Sequence, residues 1–352
     1  MDARTIARAR MYAQKLWSSD VTDPQRALSW LVAVQAQEFA YARWSLAQRC
    51  GYPADSVVAR AFNEGRILRT HILRPTWHFV APRDLRWLMR LSGTRVTATT
   101  VRRCSELGLD VKTLAKSNDI IADAVAKGPL TRRALAAVLE RCGVSPDGQR
   151  MPYILMRAEL DMIICSGPLD GKQHTYASFD ARVPAAKDLT RDEALGTLAK
   201  RYCESRGPAT VKDFAWWSGL PMSDARRAAE IAGRSIKQSV VDGRTYLFVG
   251  EPKNARKSRP RIDLVQCYDE SIITYGESRD VLRTERARFA VPATVNGYTH
   301  VILRDGVLLG HWRVVRARDG VTVQRRVQER LDEAERAALD RAVLRYRRFA
   351  TT

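Results

Sequence analysis

The chain has 352 residues, 45% of them hydrophobic, which is too long for one small domain and rich enough to bury several cores. Lys and Arg number 59 against 39 acids, a formal charge of +20 that points to a polyanionic partner, nucleic acid before an anionic membrane surface. The six cysteines (Cys50, Cys104, Cys142, Cys165, Cys203, Cys267) form no CxxC pair and the five histidines no HxxxH pair, which argues against a zinc site and a disulfide framework.

The start, MDARTIARARMYAQKLW, is basic without an apolar core, so it does not read as a signal peptide. No apolar run reaches the roughly 18 residues of a membrane span, and the expected location is the cytoplasm, in association with the nucleoid. Residues 2–17, with apolar Ile6, Met11 and Leu16 and Arg and Lys between them, read as a helix. Asp23-Pro24 predicts a helix start, with Asp23 as N-cap and Pro24 in the first turn. A helix is expected over 40–49, broken by Gly51-Tyr52-Pro53. Another is expected over 55–64, with Val57, Val58, Ala61 and Phe62 on one face and Gly65 after it. In residues 66–80 Ile67, Ile72, Leu73, Trp77, Phe79 and Val80 are β-prone, and Arg74-Pro75 suits a turn, which predicts a hairpin. Helices followed by a two-stranded wing are the order of a winged helix.

A second such unit is expected from about residue 109. It has a helix over 119–126, then Gly128-Pro129-Leu130-Thr131 opening a helix capped by Thr131, and a third helix over 152–161. A strand at 162–165, a turn at 169–172 and a strand at 174–179 complete it. In the third unit Thr190 and Glu193 form a capping box before a helix through Tyr202. Gly207-Pro208-Ala209-Thr210 then echoes the motif at 128, 79 positions earlier, a spacing too long for a solenoid repeat and right for a small domain. Helices at 211–218 and 221–232 follow, and residues 240–248 read as a strand, an Asp242-Gly243 turn and a strand. EPKNARKSRP (251–260) reads as a basic linker. Strands are expected at 262–268, 289–295, 299–303, 307–315 and 321–323, and a closing helix at 327–349 with Leu331, Ala334, Ala338, Ala342 and Tyr346 on one stripe. The predicted fold is α+β, with tandem winged helices at 1–100, 101–185 and 186–252 and a β-rich domain with a terminal helix at 253–352.

The stretch LVAVQAQEFAYARWSL (31–46) holds two amides one residue apart, Gln35 and Gln37. On a helix they would point about 200° apart, and spacing alone reads them as one polar and one half-buried helical residue. On extended backbone they would face one way, and a shared target would require the chain to leave regular helix near Ala36. The string VQAQEFAYARWSLAQR, followed by GRILRTHILRPTWHFVAP, resembles the bacterial winged-helix DNA glycosylases of the AlkZ and YcaQ type. The signature of that family is Gln, an apolar residue, then Gln or Asp. It stands here as Gln35-Ala36-Gln37, with Ala36 smaller than the usual middle residue. Further matches are Cys267-Tyr268-Asp269-Glu270 and Gly310-His311-Trp312-Arg313, so the resemblance runs along the whole chain.

The resemblance implies a monomeric enzyme with no cofactor or metal. It would bind double-stranded DNA in a C-shaped basic channel and hydrolyse the N-glycosidic bond of N7-alkylguanine, including bulky adducts and interstrand crosslinks. Gln35 and Gln37 would be catalytic. An N7-alkylated purine is already cationic and leaves without a strong acid, so the enzyme needs only to orient a water and favour a sugar with oxocarbenium character. Amide carbonyls suit that task. Thr76 and His78 would support the site from the wing. Arg43, Arg69, Arg74, Arg132, Arg133, Lys212 and Arg313 are the candidate DNA contacts, with a solvated face as the other reading of the wing arginines. Trp216 and Trp217 read as core before base-stacking platform. Asp269 and Glu270 read as holders of arginines before catalytic acids. The competing class is a non-catalytic tandem winged-helix regulator, and a third is an RNA-associated basic protein.

Overall fold

The computed structural model describes residues 1–18, 20–253, 259–283, 299–317 and 320–351. The chain forms two compact units, one from Met1–Ala59 with Leu195–Thr352, the other from Arg60–Ala194. The strand expected at 289–295 and part of the basic linker lie outside the described residues.

The first segment holds α1 (Ala3–Ala13), α2 (Pro24–Leu31), the short strand β1 (Ala33–Gln35), α3 (Phe39–Ala47) and α4 (Asp55–Asn63). Asp2 and Asp23 cap the first two helices by accepting from the backbone N–H of Thr5 and Arg26. Pro24 occupies the first turn of α2, as its sequence position predicts.

In the unit Arg60–Ala194, β2 (Leu68–His71) and β3 (Trp77–Val80) form the expected antiparallel hairpin. Then comes α5 (Pro82–Glu106), a helix of 25 residues that the sequence pattern does not predict. Its polar residues surround the helix with little amphipathic contrast, so periodicity did not mark it. Next is α6 (Val111–Val125), which starts earlier than expected because Asp110 caps it at the N–H of Thr113. After β4 (Leu130–Thr131), α7 (Arg132–Arg141) starts on the Thr131 cap, and α8 (Arg150–Leu160) follows. Strands β5 (Ile164–Ser166) and β6 (Thr175–Ser178) join β4 in the order β4-β6-β5, and the short α9 (Phe179–Arg182) follows. Leu114, Ile121, Leu135, Leu139, Ile154 and Ile164 belong to one buried cluster that packs these helices on the sheet.

The chain continues through α10 (Arg191–Arg206), α11 (Val211–Ser218), α12 (Met222–Ala232), β7 (Lys237–Val241) and β8 (Arg244–Phe248). Thr190 and Glu193 make the reciprocal capping bonds. Thr210 and Asp213 make a second box on α11, whose end turns at Gly219 with φ 68°. Strand β9 (Ile262–Val265) ends three residues before the expected limit, and the chain bends into α13 (Glu270–Ile273). Strands β10 (His300–Arg304), β11 (Val307–Ala317) and β12 (Gly320–Val327) complete a four-stranded antiparallel sheet in the order β12-β11-β10-β9. At Gly310 a Cβ would lie 2.2 Å from the Arg326 carbonyl oxygen, so only glycine permits this strand contact. The closing helix α14 (Glu333–Thr351) starts later than expected, because Val327 is still in β12. It buries Ala338, Leu339, Ala342, Tyr346 and Phe349, while Ala334 is exposed.

Trp312 joins this helix to the sheet. Its ring lies 4.8 Å from Tyr346 and 4.9 Å from His300, and its Nε1 donates to the Val265 carbonyl. His300 is 5% exposed, and its Nδ1 accepts from the Cys267 N–H at 3.3 Å.

Two outcomes are expected. Thr210→Ala and Thr131→Ala should each lower unfolding stability in urea by about 1 kcal/mol, the usual value of an N-cap; no change would remove the caps from the account. Burial pushes the His300 imidazole down from its ordinary 6.5 to about 4. The unfolded chain therefore binds a proton that the fold refuses, and stability present above pH 6.5 is lost as pH falls toward 4, by about 3 kcal/mol at most. His300→Phe should flatten that acid limb in thermal melts, whereas parallel limbs for the two proteins would contradict the assignment.

Candidate active site

Gln35 sits at a point where the backbone changes character abruptly. Helix α2 ends at Leu31, and Val32 adopts φ 67° and ψ −56°. That is near a tight γ-turn which β-branched L-residues rarely enter, and it costs on the order of 1–3 kcal/mol. The chain then runs extended through Ala33, Val34 and Gln35, all buried. Ala36 is buried, Gln37 and Glu38 lie in an exposed bend, and helix resumes at Phe39. The reading of the two glutamines as members of one helix is therefore wrong, and the alternative, departure from helix around Ala36, is what the fold adopts. Gln35 is 7% exposed; Gln37 is open to solvent.

Two buried side chains grip this strained turn, through three backbone bonds. The Oε1 of Glu270, at the start of α13, accepts the backbone N–H of Gln35 at 2.9 Å. Its Oε2 accepts from Arg206 Nη2 at 2.6 Å and Nε at 3.1 Å, from Trp217 Nε1 at 3.0 Å and from Thr274 Oγ1 at 3.0 Å. Arg206 in turn donates from Nη1 to the Leu31 carbonyl and from Nη2 to the Ala33 carbonyl, both at 2.8 Å. One guanidinium thus bridges the two carbonyls on either side of Val32. Its plane lies 4.3 Å over the Trp217 ring, and both Arg206 and Glu270 are fully buried.

Asp269 makes a parallel arrangement with another arginine. Its two carboxylate oxygens accept from Arg49 Nη2 at 2.7 Å and Nη1 at 2.9 Å. Burial alone would raise the Asp269 carboxyl, but Arg49 and the Ser271 bonds hold it below the ordinary carboxylate range. Arg49 also donates to Gln14 Oε1, and Gln14 Nε2 reaches the Glu270 carbonyl. Both acids of the Asp269-Glu270 pair hold arginines, as the sequence reading favoured. Sequence reasoning missed Arg206 and the bond from Glu270 to Gln35, because no local pattern ties positions so far apart. The only hint was a pair of acids in a strongly basic chain.

Thr76 and His78 come together in the unit Arg60–Ala194, at the start of β3. His78 is fully buried, with Nδ1 2.9 Å from the Thr76 carbonyl oxygen. On the facing strand His71 Nδ1 lies 2.6 Å from Glu159 Oε2, which also accepts from Thr70 Oγ1 and the His71 N–H. The Trp77 ring is flanked by His71 at 4.0 Å and by the Arg69 guanidinium at 4.2 Å.

The remaining candidates differ in setting. Arg43 is largely buried and ion-pairs with Asp55 at 2.9 Å; burial lowers its pKa more than Asp55 raises it. Arg74 is partly buried, and Arg132 and Arg133 are exposed at the start of α7. Lys212 is exposed and bonded to Glu277 at 2.6 Å, and Arg313 donates to Gln324 Oε1 on the neighbouring strand. Trp217 is core, as expected, but Trp216 is 53% exposed with Nε1 on the Ile273 carbonyl. Among the described residues no group of His, Cys, Asp and Glu could hold a metal ion, and no helix is long and apolar enough to cross a membrane.

Comparison with known proteins shows the family and the fold. The chain is 24% identical over 304 residues to an interstrand DNA cross-link repair glycosylase of Streptomyces sahachiroi, covering 81% of this chain and 80% of that protein. The solved structure of the Streptomyces sahachiroi DNA glycosylase AlkZ shares the fold, with a TM-score of 0.82 at 22% identity over 99% of this chain and 97% of that one. A family model described as DNA glycosylase AlkZ-like matches residues 28–349, from the middle of α2 to the end of α14, and the chain belongs to that family.

Proposed function

We propose that this protein is a monofunctional DNA glycosylase that hydrolyses the N-glycosidic bond of N7-alkylguanine, including bulky adducts and interstrand crosslinks, in a base excision or self-resistance pathway. The observation that carries this reading is the Gln35-Ala36-Gln37 stretch, set on non-helical backbone by a buried carboxylate and guanidinium. The name of the Streptomyces relative, a cross-link repair glycosylase, supports the substrate class. A non-catalytic regulator is not favoured, since the family is one of glycosylases.

The chemistry asks little of acid catalysis. The alkylated base carries its positive charge in the ground state and departs neutral, taking the bonding electrons of the glycosidic C–N bond. The sugar gains oxocarbenium character, and a water adds to it and loses a proton. An amide carbonyl can accept a hydrogen bond from that water and face the developing positive charge without acting as a strong base. Gln35 and Gln37 take this role in our reading, with Thr76 and His78 as supports.

The element orders α6, β4, α7, α8, β5, β6 and α10, α11, α12, β7, β8 both fit winged helices, and α2, β1, α3, α4, β2, β3 has a similar sequence order. We therefore retain three tandem winged helices at 1–100, 101–185 and 186–252 and a β-rich domain at 253–352. The protein would act as a monomer on duplex DNA in a C-shaped basic channel. Arg69, Arg74, Arg132, Arg133, Lys212 and Arg313 would reach phosphates, and Arg43 would do so only by leaving Asp55.

Gln35→Ala or Gln37→Ala should retain DNA binding and slow base release about 10²-fold, the scale of losing one positioned polar group at a transition state. Gln37→Asp should be the mildest change, since a carboxylate still orients water. Single-turnover release of N7-alkylguanine from an oligonucleotide measures both, and full activity in the double alanine variant would return these residues to a structural role. Binding should weaken with salt; about six phosphate contacts give a log–log slope near −5, and a slope near zero would remove DNA as the main partner.

A further inference from the structure

Glu270 is the carboxylate bonded to the backbone of a proposed catalytic residue, so the first question is whether it could be the base. Its oxygens are already engaged. Oε1 takes the Gln35 N–H, and Oε2 takes the guanidinium at two nitrogens, an indole N–H and a hydroxyl. With zero exposure, it has no open face from which to activate a water. What it touches is the main chain of Gln35, and what its partner Arg206 touches is the main chain of Leu31 and Ala33.

We propose that Glu270 and Arg206 are positioning residues that hold Gln35 in place by locking the strained turn at Val32. The proposal rests on the glycosylase reading above. Val32 sits in a conformation that would relax if its neighbours were free, because a β-branched residue at φ 67° is crowded against its own backbone. Relaxation would carry the chain toward continuous helix from α2 into α3, the state that the amino-acid pattern by itself suggests. In that state Gln35 and Gln37 would diverge by about 200°. The clamp opposes this with three backbone bonds: Leu31 and Ala33 carbonyls to one guanidinium, and the Gln35 N–H to the carboxylate paired with it. Each bond reaches a different residue of the turn, so the pair fixes both its ends.

The pair is more than a generic buried contact. Trp217 stacks on the guanidinium and donates to the carboxylate, and the Tyr275 hydroxyl donates to the Arg206 carbonyl. Rotation of either charged group would therefore break bonds on several elements at once. The clamp is built from α10, α11 and α13, which lie more than 150 positions further along the sequence than the glutamines.

The test compares Glu270→Gln with Arg10→Met in the full-length protein. Glu270→Gln keeps the shape but turns an amide NH2 toward donors. Arg10 is another fully buried arginine, bonded to Pro208, Ser278 and Asp213 instead of the turn. Three quantities are read: single-turnover base release, duplex affinity, and hydrogen exchange of the Gln35 amide. Glu270→Gln should slow release by about 10²-fold, as displacing a group by around 1 Å can, with affinity nearly unchanged. The Gln35 amide should lose protection while α1 and α14 keep theirs. Arg10→Met should lose stability but release base at the parent rate. If Glu270→Gln does not fold, Trp217→Phe keeps the ring, removes one donor to Oε2, and should give a smaller slowing of several-fold with partial loss of Gln35 protection. An unchanged rate in the carboxylate variant would overturn the proposal, as would equal slowing in the Arg10 control. Loss of activity with the Gln35 amide still protected would also overturn it, by making Glu270 a chemical participant. If the parent protein releases no base, the glycosylase reading fails, and amide exchange alone judges whether the clamp holds the turn.

Discussion

A buried carboxylate cannot stay charged in a protein core without donors on nearly every side, and Glu270 shows how completely this chain supplies them. Removing either member of such a pair would cost about 3–5 kcal/mol, because the other would remain as an uncompensated charge. Replacing both by apolar residues would be far cheaper. Stability therefore does not explain the pair; geometry does. Its donors and acceptors converge on the main chain at residues 31–35, which an apolar core could not grip with direction. The neighbouring pair of Asp269 and Arg49 ties the start of α13 to α3, since Arg49 also donates to the Ser45 carbonyl. The two consecutive acids thus draw together α3, α10, α11 and the turn that carries Gln35.

This use of arginine changes the meaning of the count of basic residues. A formal +20 suggests a surface crowded with cations. Yet Arg10, Arg49 and Arg206 are fully buried, each beside an acid and each donating to backbone carbonyls. Guanidinium suits this work because its planar fork can satisfy several acceptors at once, where an ammonium would act as a point charge. Other arginines stack on aromatic rings, as Arg69 does on Trp77. These neutral buried pairs leave the net charge as it stands, but the count of basic residues overstates the cations available to a polyanion, among which exposed groups such as Arg132 and Arg133 remain.

The proposed chemistry also fits a site built from amides. A carboxylate placed to activate water would need desolvation and a tuned proton affinity, and such a strong base would be needed only if the leaving base were poor. A cationic alkylpurine leaves readily, so the demand shifts from reactivity to position. That shift makes a rigid backbone more valuable than a strong base, and it gives the buried charge beside Gln35 a function that is mechanical in kind.

Much of the architecture was legible in residue order. Caps at Asp23 and Thr131, the Thr190–Glu193 box, the Asp242-Gly243 turn and the hairpin around Arg74-Pro75 are local signals, set by bonds a few residues long, and the structure has each of them. The motif Gln35-Ala36-Gln37 was visible for the same reason, as was the expectation that the two acids at 269 and 270 would hold arginines. Helix α5 was not visible, since its face lacks a clean apolar stripe, nor was the start of α14, where a strand runs further than its pattern. What the sequence could not determine was the conformation of the motif itself. Local preference allows a helix through residues 31–47, whereas the fold makes Ala33–Gln35 a strand, with Arg206 and Glu270, brought from the far half of the chain, bonded to its backbone and to the turn before it. A turn that strains its own residue has to be held from outside, so its shape belongs to the tertiary structure.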